Sequence, residues 1–222
     1  MKHITLVAER VHRVVLGFRR PQSFSAGQYL KLWLNPSLHR SYSIASSTRS
    51  VSDLEVFVGH QNDESTALAL LRNMKNIRET QVTLPFGEAC YRKSDAQQIL
   101  LIAGGTGYGY IRSILLEAID QAPSAKINLL WGVRGEESLF DIGTLRVLAE
   151  QNSRFSYQLW VENGKNTASA MCGDIVQAIM SQTMPTAVTN TDTYIGGGGM
   201  MIAAVRKALN AKGFNPVRIF SD

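Results

Sequence analysis

Residues 99–118, ILLIAGGTGYGYIRSILLEA, constrain the fold of this chain more than any other stretch. The run 99–103 is apolar throughout with no polar alternation, the pattern of a strand buried on both faces. Gly104, Gly105, Gly107 and Gly109 crowd the turn that follows. Ile111, Ile114, Leu115 and Ile119 then recur at helical spacing, giving one apolar stripe to lie against a sheet. Strand, glycine turn and helix in that order bring backbone N–H groups and the positive end of a helix together. Glycines also remove the Cβ atoms that would hold a phosphate away. The spacing departs from the dinucleotide fingerprint G-x-G-x-x-G, since Tyr110 stands three residues after Gly107 and Arg112 three after Gly109. From the residues alone, the turn serves either nucleotide binding or tight packing.

Beyond Ser94, apolar runs alternate with helical patterns. Strands are predicted at 99–103, 127–131, 155–161, 193–196 and 217–220, and helices at 110–121, 143–151, 174–182 and 201–212. Asp174 suits an N-cap and Gly213 a left-handed residue just past a helix end. Such alternation predicts a doubly wound parallel sheet whose ligands sit at the carboxyl ends of its strands. Three segments should converge there: the glycine turn, the stretch 132–137 containing Arg134, Glu136 and Glu137, and the four-glycine run Gly196, Gly197, Gly198 and Gly199 with Met200 and Met201.

The first half reads differently. Ile4, Leu6 and Ala8 alternate with polar residues, as do Leu30, Leu32 and Leu34, and Leu54, Val56 and Val58. One helix, 63–74, carries Leu68, Leu71 and Met74 on one face, and Val82, Leu84, Pro85, Phe86 and Gly87 close the half. Several short strands with glycine and proline turns predict a small antiparallel β-barrel. The expected division is 1–93 for the barrel and 94–222 for the α/β domain. Within the barrel, Arg40, Ser41, Tyr42 and Ser43 place a cation, an aromatic ring and hydroxyls on one short strand. That set suits a planar, electron-poor ring, or is an ordinary edge strand with Tyr42 in the core.

The chain has 222 residues and a net charge of +5, but no basic run longer than a pair such as Arg19-Arg20, so no nucleic-acid footprint is expected. Two distant cysteines, Cys90 and Cys172, exclude an iron-sulfur cluster built from this chain and fit a reducing compartment. His3, His12, His39 and His60 show no metal-ligand spacing, so no metal site is expected. The charged, alternating start reads as a strand and not a signal peptide, and no apolar run reaches the ~20 residues of a membrane span. A cytoplasmic protein is the expectation.

AGGTGYGYIRSILL resembles the NAD(P)H-binding turn of the ferredoxin-NADP reductase superfamily. RSYS, residues 40–43, resembles that family's flavin-contacting R-x-Y/F-S motif, and SFSAGQYLKLWL resembles the F-x-x-G-Q-Y strand before it. Leu139, Phe140 and Asp141 stand where the family has L-Y-D, and within the family the bacterial NAD(P)H-dependent flavin reductases are most similar. The resemblance implies a flavin-binding barrel followed by a nucleotide-binding domain, and hydride transfer from NADH or NADPH to riboflavin, FMN or FAD, held as substrate or loosely bound. It assigns Ser43 and Arg40 to catalysis at the flavin, and Ser41 and Tyr42 to flavin binding. Gly104, Gly105, Thr106, Gly107, Arg134, Gly196, Gly197, Gly198 and Met201 fall to the nicotinamide nucleotide. Many relatives have cysteine where Gly196 stands. Stretch 60–66 lacks the glycine turn that holds FAD pyrophosphate in relatives, and its acids Asp63 and Glu64 would repel phosphate. The acceptor of reduced flavin implied by the family is a monooxygenase, a luciferase or ferric iron. The alternatives are an FAD-containing reductase that feeds a protein partner and a degenerate nucleotide-binding regulator.

Overall fold

The computed structural model describes residues 1–60, 65–77, 79–181 and 190–221. Gln61, Asn62, Asp63 and Glu64, on which the expectation about FAD pyrophosphate rests, lie outside the described residues, as does the end of the helix expected at 174–182.

Six short strands make the first half: β1 (His3–Ala8), β2 (Val11–Gly17), β3 (Tyr29–Asn35), β4 (Leu38–Ser43), β5 (Asp53–Gly59) and β6 (Gln81–Phe86). They form two antiparallel sheets ordered β1-β2-β5 and β4-β3-β6. The inward-facing Val14, Leu16, Leu30, Leu32, Leu54, Val56 and Val58 fill one core, closed by Leu70, Leu71 and Met74 of α1 (Thr66–Ile77). Backbone bonds from Ile44 N–H to Gln28 O (2.9 Å) and Ala45 N–H to Glu55 O (2.8 Å) join the two walls of the barrel. The expected alternation fails at Leu6, which is 58% exposed although it stays in register opposite His12, and the β1–β2 register shifts just after it, between Leu6 and Ala8. That bulge turns Val7 and Ala8 onto the core of the second half.

In the second half, β7 (Gln98–Gly104), β8 (Lys126–Val133), β9 (Phe155–Val161), β10 (Met171–Cys172), β11 (Thr191–Gly196) and β12 (Ile219–Ser221) form one parallel sheet ordered β10-β9-β8-β7-β11-β12. The order reverses between β7 and β11, which is where a doubly wound sheet opens its ligand crevice. β7 is buried on both faces, as its unbroken apolar run predicts. Ile99, Leu101 and Ala103 enter one core, and Leu100 and Ile102 enter another beneath α4 (Ile175–Met180) and α5 (Gly199–Ala211). Asp174 caps α4 by accepting Gln177 N–H at 2.8 Å, and Gly213 has φ +84°.

Helix α2 (Tyr108–Gln121) departs from its expected single stripe. Tyr108, Gly109, Tyr110 and Ser113 are buried in addition to Ile111, Ile114, Leu115 and Ala118. The sheet covers one side of this helix and the barrel covers another, with Val11, Ala26, Ala45 and Phe57 of the barrel joining the same core.

Candidate active site

Strand register decides what faces what. Gly104 at the end of β7 pairs with Gly132, one residue before the end of β8, and Gly196 at the end of β11 pairs with Ala103, so three strands carry glycine at nearly one level. From Gly104 the chain makes a single 3₁₀ turn through Gly105, Thr106 and Gly107 into α2, with no side chain capping the helix start. Gly105 has φ +53°, and its carbonyl accepts the Trp131 indole N–H at 3.1 Å, so the turn is held from below. Trp131 stacks on Tyr108, ring centroids 4.2 Å apart. The two glycine turns touch through their main chains: a Cβ on Gly107 would stand 2.3 Å from Gly196 C, and one on Gly196 would stand 2.5 Å from Gly107 O. A cysteine at Gly196 therefore has no room beside Gly107 in this arrangement.

β4 faces these turns across a cleft of about 290 Å³. Its wall consists of Ser41, Tyr42 and Ser43 with Phe57 on the barrel side, and Gly104, Thr106, Gly107, Tyr110, Gly196, Gly197 and Gly198 on the other. Thr106 packs its methyl over Gly59 at the end of β5, where a Cβ would meet it at 2.8 Å. The Tyr42 hydroxyl is buried and has no hydrogen-bond partner among the described residues. Burial pushes its pKa up to about 12, with nearby Arg40 pulling the other way. An aromatic ring and the Ser43 hydroxyl on one short strand fit a flavin, whose flat apolar face and polar edge need those groups. The bare glycine main chain opposite fits a nucleotide that must approach closely.

Residues 101–207 match the family described as oxidoreductase NAD-binding domain. The chain is 32% identical to the NAD(P)H-flavin reductase of Aliivibrio fischeri over 93% of its length and 89% of that protein, and 30% identical to that of Vibrio harveyi over 100% and 95%. It is a member of the NAD(P)H-flavin reductase family. Among solved structures, the fold matches an Amycolatopsis cytochrome P450 reductase at TM-score 0.87 and 24% identity, covering 99% of this chain and 66% of that longer one. It also matches the FAD/NAD-binding domain of a nitric oxide dioxygenase from Vibrio cholerae at TM-score 0.83 and 18% identity, covering 100% and 95%.

Most of the site residues that the flavin-reductase resemblance assigns come together in the cleft. Arg40, Gly105, Arg134 and Met201 do not line it. Arg40 is exposed on β4, and Arg134 is exposed on the turn after β8. The stretch 132–137 stays off the cleft wall altogether. Glu137 turns its carboxylate over Gly135, within 2.3 Å of where a Cβ would be, and its carbonyl accepts Glu9 N–H at 3.1 Å. The Met201 side chain fills the gap that Gly104 and Gly197 leave, its Cε 2.6 Å and 2.2 Å from their ideal Cβ positions. It supports the turns from behind.

Phe57 and Tyr110 line the cleft and were not anticipated. Phe57 occupies an outward slot of β5, yet it packs against Phe140 at 4.7 Å and Tyr108 at 6.0 Å. A large aromatic in a slot that alternation gives to solvent was the available signal. Tyr110 donates its hydroxyl to Ala89 O at 2.7 Å, which holds its ring at the cleft floor. The histidines are less scattered than their spacing implied, because β2–β5 pairing brings His12 and His60 to a ring distance of 5.7 Å. Among the described residues, no three of His, Cys, Asp and Glu gather where they could hold a metal ion, and no helix is long and apolar enough to cross a membrane.

Proposed function

We propose that this protein passes a hydride from NADH or NADPH to free flavin, be it riboflavin, FMN or FAD, and releases the reduced flavin. The observation that carries this reading is one cleft lined by Tyr42 and Ser43 on the barrel side and by the glycine turns at Thr106, Gly107 and Gly196 on the other. The kinship with NAD(P)H-flavin reductases supports it. Nicotinamide supplies the hydride and flavin accepts it, so this chain needs to supply position and hydrogen bonds and no acid or base. Ser41 and Tyr42 hold the flavin, Ser43 donates to its reacting edge, and Arg40 lies beyond the cleft wall for the polar side of the ring. Gly104, Thr106, Gly107, Gly196, Gly197 and Gly198 let the nicotinamide lie against bare main chain. Gly105 and Met201 support those turns, and Arg134 is the exposed cation for a nucleotide phosphate. The barrel, 1–93, and the α/β domain, 94–222, thus each bring one partner of the transfer. The setting is cytoplasmic, with a monooxygenase, a luciferase or ferric iron consuming the reduced flavin.

Riboflavin-dependent loss of NADH absorbance tests the reading. Steady turnover is expected, and a flat trace from folded protein removes it. A second reading, bound FAD feeding a protein partner, draws on the 29% identity over 58% of this chain to the reductase component of a Comamonas terephthalate dioxygenase. Protein that keeps stoichiometric FAD through gel filtration supports that reading. Colourless protein that reduces riboflavin at least as well as FAD supports the first.

A further inference from the structure

Helix α2 carries both halves of the cleft. It opens directly from Thr106 and Gly107, and its second turn grips the chain that continues from Ser43. Arg112 donates through Nη1 to Ala45 O at 2.7 Å and through Nε to Asp141 Oδ2 at 2.8 Å, and Nη1 lies 3.4 Å from Glu55 Oε2. Its side chain is only 12% exposed. The next residue, Ser113, donates its hydroxyl to Ser46 O at 3.0 Å. Gly109 comes so near β4 that an added Cβ would lie 3.8 Å from Ser43 O.

The far anchor is itself fixed. Asp141 sits at φ +56° and accepts from Tyr108 Oη at 3.0 Å and from Thr144 Oγ1 at 2.6 Å. Tyr108 in turn stacks on Trp131, whose indole holds Gly105. A chain of direct contacts therefore runs from the flavin strand, through one guanidinium, to the underside of the nicotinamide turn. The planar fork of arginine fixes direction as well as distance, whereas a lysine ammonium is a point charge that satisfies one partner at a time.

We propose that Arg112 is a positioning residue for hydride transfer, setting the spacing between the flavin strand and the nicotinamide turn by tying Ala45 to Asp141. The proposal rests on the reductase reading above. Reacting atoms must sit about 3–3.5 Å apart, and a misplacement of about 1 Å can cost about 100-fold in rate. Arg112 lines no part of the cleft and acts only through the residues it holds. The same geometry removes it as a reader of a ribose 2′-phosphate, since its donors are already directed inward.

Arg112→Met and Arg112→Lys test the proposal, with Arg49→Ala as control. Arg49 pairs with Asp120 at 2.9 Å and so ties the same loop to the distal end of the same helix. Arg112→Met is expected to lose about 100-fold in single-turnover hydride transfer from NADH to riboflavin, with KM for both little changed. Arg112→Lys should recover part of that loss, and Arg49→Ala should keep the wild-type rate. In parallel, amide hydrogen exchange at 43–46 and 104–107 should speed up in Arg112→Met and not in Arg49→Ala, with the barrel strands as the check on folding. A wild-type rate in Arg112→Met, or an equal loss in Arg49→Ala, overturns the positioning role. Should Arg112→Met not fold, Arg112→Lys with a wild-type rate overturns it equally. Wild-type protein that oxidises no NADH overturns the reductase reading alone. The exchange comparison then decides the positioning role, and unchanged exchange refutes it.

Discussion

Adding one carbon to Gly107 should disable the protein more than removing most side chains would. A Cβ there meets Gly196 C at 2.3 Å, Gly196 O at 2.4 Å and Gly197 N at 2.4 Å, all main-chain atoms. No rotamer change relieves such a contact, so the two glycine turns must part by roughly 1 Å to reach ordinary van der Waals distance. The backbone itself accepts the change, since Gly107 has φ −57° and ψ −14°. Gly→Ala at a compatible site stabilises by about 0.4–1 kcal/mol through the unfolded chain. Overpacking costs about 1–3 kcal/mol, so the balance is a destabilisation of about 1 kcal/mol. For a chain of this size that lowers Tm by about 2–4 °C. The kinetic effect is larger, because parting the turns by roughly 1 Å moves the nicotinamide away from the flavin and costs about 100-fold in hydride transfer. Gly143→Ala is the matched control: it sits in α3 (Ile142–Gln151) with nothing within 4 Å of its Cβ, and should stabilise by about 0.5–1 kcal/mol. Thermal unfolding and stopped-flow NADH oxidation with riboflavin read both effects. Gly107→Ala with wild-type turnover, or with stability equal to Gly143→Ala, would refute the main-chain contact as the determinant.

Ser43→Ala removes one preorganised donor and should lower turnover about tenfold at saturating flavin with the fold intact; unchanged turnover dismisses Ser43 from the chemistry. With Arg112 engaged inward and Glu136 exposed beside Arg134, kcat/KM for NADH should equal or exceed that for NADPH. A strong NADPH preference would instead place the 2′-phosphate on Arg134. Burial, then the Lys75 ammonium and His60, hold the His12 pKa below 6.5. The unfolded chain thus binds that proton more readily, so the contribution to stability is present above about pH 6.5 and lost as pH falls. The urea midpoint should drop on acidification below that pH, and less so in His12→Gln; identical slopes for the two proteins would show that His12 plays no part.

The glycine turn, the strand before it and the motif on β4 were legible because each is local: periodicity and turn chemistry lie within a dozen residues. The contacts between the two halves were not. Alternation along β5 identifies Leu54, Val56 and Val58 as one buried face, but the arrival of α2 and Phe140 buries Phe57 from the other side. Likewise Arg112 and Asp141 are 29 residues apart and meet at a crossing that no single segment encodes. Strand β2 went unread because its run of charge and valine beside β1 gives a weak period, and β10 because it is two residues long. Arg40 and Arg134 were assigned by motif position, which specifies the backbone and leaves a long side chain free to face solvent.

Trp131 gives the site an optical consequence. Its indole is fully buried, stacks on Tyr108 and spends its one N–H on Gly105 of the glycine turn. Emission from a buried indole responds to its hydrogen bond and to rings nearby, so any movement of Gly105 as nucleotide settles is written into the fluorescence of the native chain. Trp33, bonded to Thr83 on the outer barrel wall, and Trp160, in the core beneath α4, supply a background remote from the turn. Replacing those two with phenylalanine would leave a single tryptophan under the glycine turn, reporting its motion without any label.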